Sequence, residues 1–223
     1  MTTPKITFLG HSAVLIEGSK NIIIDPFLTD NPSASMAASN LPHIDYVLIT
    51  HDHFDHFGDT IGIAKRDNAT LVAIHEVTQK QEVVESKIMA VGMNIGGIYT
   101  ADGVRISMTQ AFHSAQVGSP AGFVVCIDGK NIYHAGDTSY WSDMGLIPKL
   151  FGPLDVALLP IGGHYTMDIA QAALAVKDLK PALTIPMHYN TWPVITGDAR
   201  AFTELCAPLP VRVLAPGESL ELN

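Results

Sequence analysis

A chain of 223 residues with 47% hydrophobic and 16% charged residues is long enough to bury a substantial core, which excludes a disordered or fibrous protein. The formal net charge is −9, from 13 Lys and Arg against 22 Asp and Glu, and the longest basic run is Lys65-Arg66, so a generic grip on a nucleic-acid backbone is not expected. Cys126 and Cys206 cannot build a disulfide framework and read as buried apolar thiols, and no apolar stretch is long enough to span a bilayer.

Residues 1–5 carry no apolar signal region, which sets the expectation of a reduced, cytoplasmic setting. Residues 5–27 read as strands turning at Gly18, with Gly10-His11-Ser12 interrupting the first of them. Residues 28–43 show no period and are long enough to suspect a function: a lid over a site is one reading, an ordinary surface loop the other. A strand at 45–49 follows, then a helix from about 55 to 66, a strand at 69–74 and a polar helix at about 77–89.

The second half repeats that style. Strands are expected at 97–100, 104–110, 122–127 and 130–134, the last two joined by the turn Asp128-Gly129. A helix at 142–150, a strand at 156–160, a helix at 168–179, a strand at 182–186, a helix at 199–206 and a strand at 211–214 complete the chain. Periodicity alone gives a single α/β or α+β domain over residues 1–223, with two similar halves.

The densest chemistry lies just after the apolar run Asp45-Tyr46-Val47-Leu48-Ile49, where Thr50-His51-Asp52-His53-Phe54-Asp55-His56 holds three histidines and two aspartates. His51 and His53 are two apart, so continued extended geometry points both imidazoles to one face and towards one cation. Phe54, Phe57, Ile61 and Ala64 fall at helical spacing, so a turn into a helix near Asp55 swings Asp55 and His56 in another direction, dividing the four groups between two adjacent metals. The competing account, solvated polar residues with Asp55 capping a helix, fits single residues better than four potential ligands crowded at a half-buried strand end.

The run His51-x-His53-x-Asp55-His56 resembles the HxHxDH motif of the metallo-β-lactamase superfamily, and the resemblance spans most of the chain. It implies a four-layer αββα sandwich and three further ligands, found in order as His113 in Ala111-Phe112-His113-Ser114, Asp137 in Ala135-Gly136-Asp137-Thr138 and His188 in Pro186-Met187-His188-Tyr189. By the same resemblance His51, His53 and His113 bind a first metal, Asp55, His56 and His188 a second, and Asp137 bridges them. Zinc is the first expectation for the two divalent ions, with manganese or iron as alternatives.

Gly10-His11-Ser12-Ala13, Tyr133-His134-Ala135-Gly136-Asp137-Thr138 and Pro160-Ile161-Gly162-Gly163-His164 are similar to the small stand-alone hydrolases related to ascorbate-6-phosphate lactonase-like proteins. That similarity implies that His11 lines the active site, against the alternative of a structural histidine; Asp25-Pro26 resembles a feature of the superfamily that implies an aspartate steadying a ligand imidazole, against the alternative of a strand-end turn residue. His164 is a candidate for substrate contact, against the alternative of a helix-capping residue. His134 precedes Asp137 by three, at a position that is not normally a ligand in the family. Tyr165, Tyr189 and Trp141 are candidates to line a pocket.

A bridging hydroxide attacking a carbonyl or a phosphodiester of a small molecule is the reaction this ligand set implies, with Asp55 orienting it or taking its proton. Asp55, His11 and His164 are thus the candidate catalytic residues. A phosphodiesterase or nuclease of the same superfamily and a non-catalytic metal-binding protein are the alternatives. The expected partners are a small-molecule substrate and, as an open matter, a second copy of the chain, with no nucleic acid and no membrane.

Overall fold

Strands whose residues are buried on both faces dominate both halves of the chain, and they assemble into two packed sheets. The computed structural model describes residues 2–223. The first half supplies β1 (Lys5–Gly10), β2 (Ala13–Glu17), β3 (Asn21–Ile24), β4 (Tyr46–Ile49), β5 (Thr70–Ile74) and β6 (Ala90–Met93), side by side in chain order. The second supplies β7 (Ile98–Ala101), β8 (Val104–Gln110), β9 (Ala121–Ile127), β10 (Lys130–His134), β11 (Val156–Pro160) and β12 (Leu183–Met187), again in chain order across their sheet. A last strand, β13 (Ser219–Glu221), returns to the first sheet and pairs antiparallel with β1, placing Ile6 opposite Leu220.

From β3 to β6 and from β10 to β12 the strands are parallel, and each such crossover is filled by helix or loop. The helices α1 (Phe54–Phe57), α2 (Thr60–Asp67), α3 (His75–Thr78) and α4 (Gln81–Ser86) belong to the first half. The second half carries α5 (Ile147–Phe151), α6 (Ile169–Leu179) and α7 (Ala199–Cys206). Asp168 and Asp198 cap α6 and α7 by accepting backbone N–H groups, each cap stabilising its helix by about 1 kcal/mol. Two mixed sheets flanked by helices form the αββα sandwich that the resemblance implied, around one contiguous apolar core.

Several elements depart from expectation. The helix expected from 55 to 66 is broken at Gly58, whose φ is 33° and where a Cβ would lie 2.5 Å from the Pro26 carbonyl oxygen. The helix expected at 77–89 divides into α3 and α4 and ends before β6, a short, partly exposed strand without apolar alternation. Residues 211–214 make a single bridge, Val211 to Thr184, and β13 is the closing strand instead. Cys206 is buried as expected, whereas Cys126 is half-buried.

The 28–43 segment packs back onto the scaffold. Ser35 N–H donates to the Leu9 carbonyl, Leu28 and Thr29 N–H to Asp59 Oδ2, and the Arg66 guanidinium reaches the Ala38 and Pro42 carbonyls. Among the described residues no helix is long and apolar enough to cross a membrane.

Candidate metal centre

β1, β4, β8, β10 and β12 share one property: the residues following their carboxyl ends are His11, His51 to His56, His113, Asp137 and His188. A strand end is the point where a side chain leaves the core without needing a long loop, so five strands from two sheets deliver ligand-type groups to one edge. Three overlapping groups result, and within each the donor atoms lie within 4.8 Å of one another: His51, His53 and His113; His51, His56 and Asp137; and His11, Asp55, His56 and His188. The structure thus brings all seven expected ligands together, and His11 with them.

The tautomers are set from behind. Asp25, buried at φ 49°, accepts Thr50 N–H at 2.9 Å and the Thr50 hydroxyl at 2.7 Å, and its Oδ2 lies 2.7 Å from His56 Nδ1. The Thr50 oxygen is in turn 3.1 Å from His51 Nδ1. Each Nδ1–H therefore points to the scaffold, and the Nε2 atoms of His51 and His56 face the cluster. Asp25 thus meets an imidazole of the cluster.

Loop staples complete the edge. Asp52 turns away from the cluster: it takes Lys80 Nζ at 3.0 Å and the N–H groups of Gln116 and Val117, so it fastens the loop that follows His113. His134 is no ligand; its Nδ1 accepts Gly136 N–H at 3.2 Å and its Nε2–H donates to the Ser12 carbonyl at 2.9 Å, tying the turn before Asp137 to the turn of His11. Gly136 has φ 63°, and a Cβ there would stand 2.5 Å from the Ala121 oxygen.

The carboxylates and imidazoles of the cluster shift one another's protonation. Asp137 lies 3.4 Å from His56 Nε2, 3.6 Å from His113 Nε2 and 3.0 Å from His188 Nε2. Burial alone would raise its pKa, yet His188 and His56 hold it well below the ordinary carboxylate range. Burial would likewise lower His56, but Asp137 and then Asp25 push it well above the ordinary imidazole value. Asp55 is held low, against burial, by His11 and His56. Burial drives His51 down to about 3 and His11 to about 4, and it lowers His113 as well.

Four buried atoms, His56 Nε2, Asp137 Oδ1 and both ring nitrogens of His188, lack a hydrogen-bond partner. Orphaned imidazole nitrogens beside buried carboxylates are the donor set that divalent zinc, manganese or iron takes, and the residues present fit such ions.

The edge opens into a hollow of about 470 Å³. His53, Asp55, His113 and Asp137 form its floor, and Phe54, Tyr165, Trp192 and Val194 its apolar wall; among the described residues no Lys or Arg lines it. Of the aromatic candidates, Tyr165 lines the hollow, whereas Trp141 packs at a tilt against Phe112 beside a different hollow and Tyr189 borders a third. His164 is exposed on a turn at φ 55° and packs edge-on against Tyr165, and it is Tyr165, not His164, that lines the hollow.

Trp192 escaped the sequence reading. It stands on the loop after His188, which Asn190 closes through two hydrogen bonds to Gly197, and its ring meets Phe27, Phe54 and His11 at 6.1, 6.1 and 4.9 Å. Its place four residues after His188 was the available signal.

Comparison with known proteins agrees with this fold. A family described as the beta-lactamase superfamily domain matches residues 20–189. A metal-dependent hydrolase of Thermococcus kodakarensis is 48% identical over 98% of this chain and 99% of its own, and one of Pelotomaculum thermopropionicum is 47% identical over 98% and 100%. Among solved structures, a metallo hydrolase of the hyperthermophilic archaeon Ignicoccus hospitalis superposes with a TM-score of 0.92 at 41% identity, covering 99% of each chain.

Proposed function

We infer the reaction from one premise: this chain belongs to the beta-lactamase superfamily and is a metal-dependent hydrolase. Two divalent ions are the reading the site supports best, one held by His51, His53 and His113, the other by Asp55, His56 and His188, with Asp137 between them. The observation that carries it is the position of Asp137, within 3.6 Å of imidazoles from both sets. Bound there, the ions supply Lewis-acid polarisation of a substrate oxygen and a water whose pKa falls from ~15.7 towards ~7.

The protein's share of the work is positioning and proton transfer. Asp25 and Thr50 hold His56 and His51 in their ligating tautomers. Asp55, kept ionised by His11, borders the hollow and offers a carboxylate oxygen to the proton of the attacking water. Phe54, Tyr165, Trp192 and Val194 exclude water on one side and seat an apolar arm of the substrate. A small ester, thioester, lactone or amide with an aliphatic or aromatic arm fits this lining better than a polyanion, because no cationic side chain of the wall meets added negative charge.

The test is hydrolysis of ester, thioester, lactone, β-lactam and phosphodiester panels by zinc and manganese forms whose metal content has been measured. One preferred class at two metals per chain is expected. Asp137→Ala and His51→Ala are expected to lose metal and turnover together while circular dichroism stays unchanged, and turnover retained in either variant removes the two-ion mechanism.

A further inference from the structure

We propose that the hollow between β8 and α5 is a second binding site, for a small neutral molecule with an apolar body and one hydrogen-bond acceptor. It shares no lining residue with the hollow at the metal edge, and its volume is about 200 Å³. Met108, Ile147, Leu150 and Phe151 give it apolar walls. An apolar cavity of about 150 Å³ takes one benzene ring, so a single ring or a short chain fits here.

The polar groups of this hollow lack partners. Thr109 lines it at 3% exposure, with its hydroxyl oxygen buried and unpaired. The Tyr133 hydroxyl beside it is buried and unpaired as well. Trp141 lines the hollow too, and its indole N–H is buried without an acceptor. Buried groups of this kind are rarely left unpaired, and an indole N–H can only donate, so the partner it calls for carries an acceptor. Thr109 stands opposite Gly122, where a Cβ would lie 2.7 Å from the Thr109 hydroxyl oxygen, and glycine in a strand marks such places of close approach.

The rim sets the charge. Asp143 lines the hollow, and among the described residues no Lys or Arg does, so an anionic guest is repelled. Leu150 is 70% exposed, a fraction matched among the large apolar residues described only by Phe54 on the wall of the metal hollow. A guest in the hollow covers that apolar surface. Gln110 lies three residues before His113, and Trp141 four after Asp137. The two loops are joined by Phe112 N–H to the Thr138 hydroxyl oxygen and by Ser139 N–H to the Phe112 carbonyl, both at 3.0 Å. The site therefore lies behind the metal edge, and binding in it needs no ion there.

The chain holds two tryptophans, so Trp192→Phe leaves Trp141 as the single indole reporter. Benzyl alcohol, toluene and benzoate share one ring and differ in the polar group, and each is titrated into that variant while Trp141 emission is followed. Benzyl alcohol is expected to shift the emission along a one-site curve. Toluene, which lacks an acceptor, and benzoate, which meets Asp143, are each expected to bind at least about tenfold more weakly. Thr109→Val in the same background is expected to narrow the gap between benzyl alcohol and toluene. No saturable shift with benzyl alcohol overturns the proposal. Equal affinity for toluene reduces the hollow to apolar surface, and equal affinity for benzoate removes the assigned ligand class; either overturns it. Should a variant not fold, the amide NMR shifts of Gly96, Gln110 and Leu150 follow the same titrations in the unaltered chain. Shifts confined there to the residues around Trp192 place the alcohol at the metal edge and overturn the proposal as well.

Discussion

Asp25 Oδ2 and His56 Nδ1 meet at 2.7 Å with neither side chain exposed, and the same carboxylate reaches His51 through the Thr50 hydroxyl. One aspartate therefore sets an imidazole in each half of the cluster. Asp25→Asn keeps the shape but weakens the hold on both rings. Metal affinity is expected to fall by about 10–100-fold, as for other groups that orient ligands, in competition against a chromophoric chelator. Wild-type affinity in the variant would show that the rings are held by packing alone.

Trp192→Ala opens the apolar wall without touching a ligand. For substrates with an aromatic or aliphatic arm, kcat/KM is expected to drop by roughly 10-fold or more, the usual consequence of losing a contact in an apolar pocket, while acetyl esters are little changed. An equal loss on both substrate types would mean that Trp192 acts through His11, against which it packs.

Chelation separates metal from fold. The apolar core spans both sheets and does not depend on the ligands, so the metal-free chain is expected to keep its circular dichroism spectrum. At metal 100-fold above Kd the ions contribute about 2.7 kcal/mol each to stability. For a chain of this size 1 kcal/mol corresponds to roughly 2–4 °C, so with two ions calorimetry is expected to show Tm falling by roughly 10–20 °C on chelation and returning with zinc. Loss of the spectrum on chelation would instead make the ions part of the fold.

His134→Phe removes the link between the turns of His11 and Asp137, leaving the Ser12 carbonyl and Gly136 N–H without it. A loss of about 1–3 kcal/mol per buried group left unpaired is expected in urea unfolding, together with weaker metal binding. His134→Phe at wild-type stability would mean that the two turns are fixed independently.

Local sequence carried part of this site and not the rest, for physical reasons. His51, His53, Asp55 and His56 were readable because four donors within six positions at a strand end are too costly to crowd together unless a cation holds them. His113, Asp137 and His188 are single residues far apart, and resemblance, not spacing, pointed to them. Trp192 and Thr191 sit on a loop whose course is set by Asn190 and Gly197, which no periodicity reports. The break at Gly58 depends on the approach of the Pro26 carbonyl, a tertiary contact. β6 and β13 are three or four residues long on a sheet edge, too short and too exposed for alternation to show. Tyr165, not His164, lines the hollow because a left-handed turn at His164 sends its ring outward.

The division of the ligands between early and late strands has a consequence during synthesis. Roughly 130 residues separate His56 from His188, and a ribosome working at ~5–20 residues per second needs on the order of ten seconds to make them. For that interval the nascent chain presents His51, His53, Asp55 and His56 without Asp137 and His188. On the two-ion reading, choice of metal then belongs to the finished protein, in which the second sheet brings Asp137 and His188 to the residues of the first.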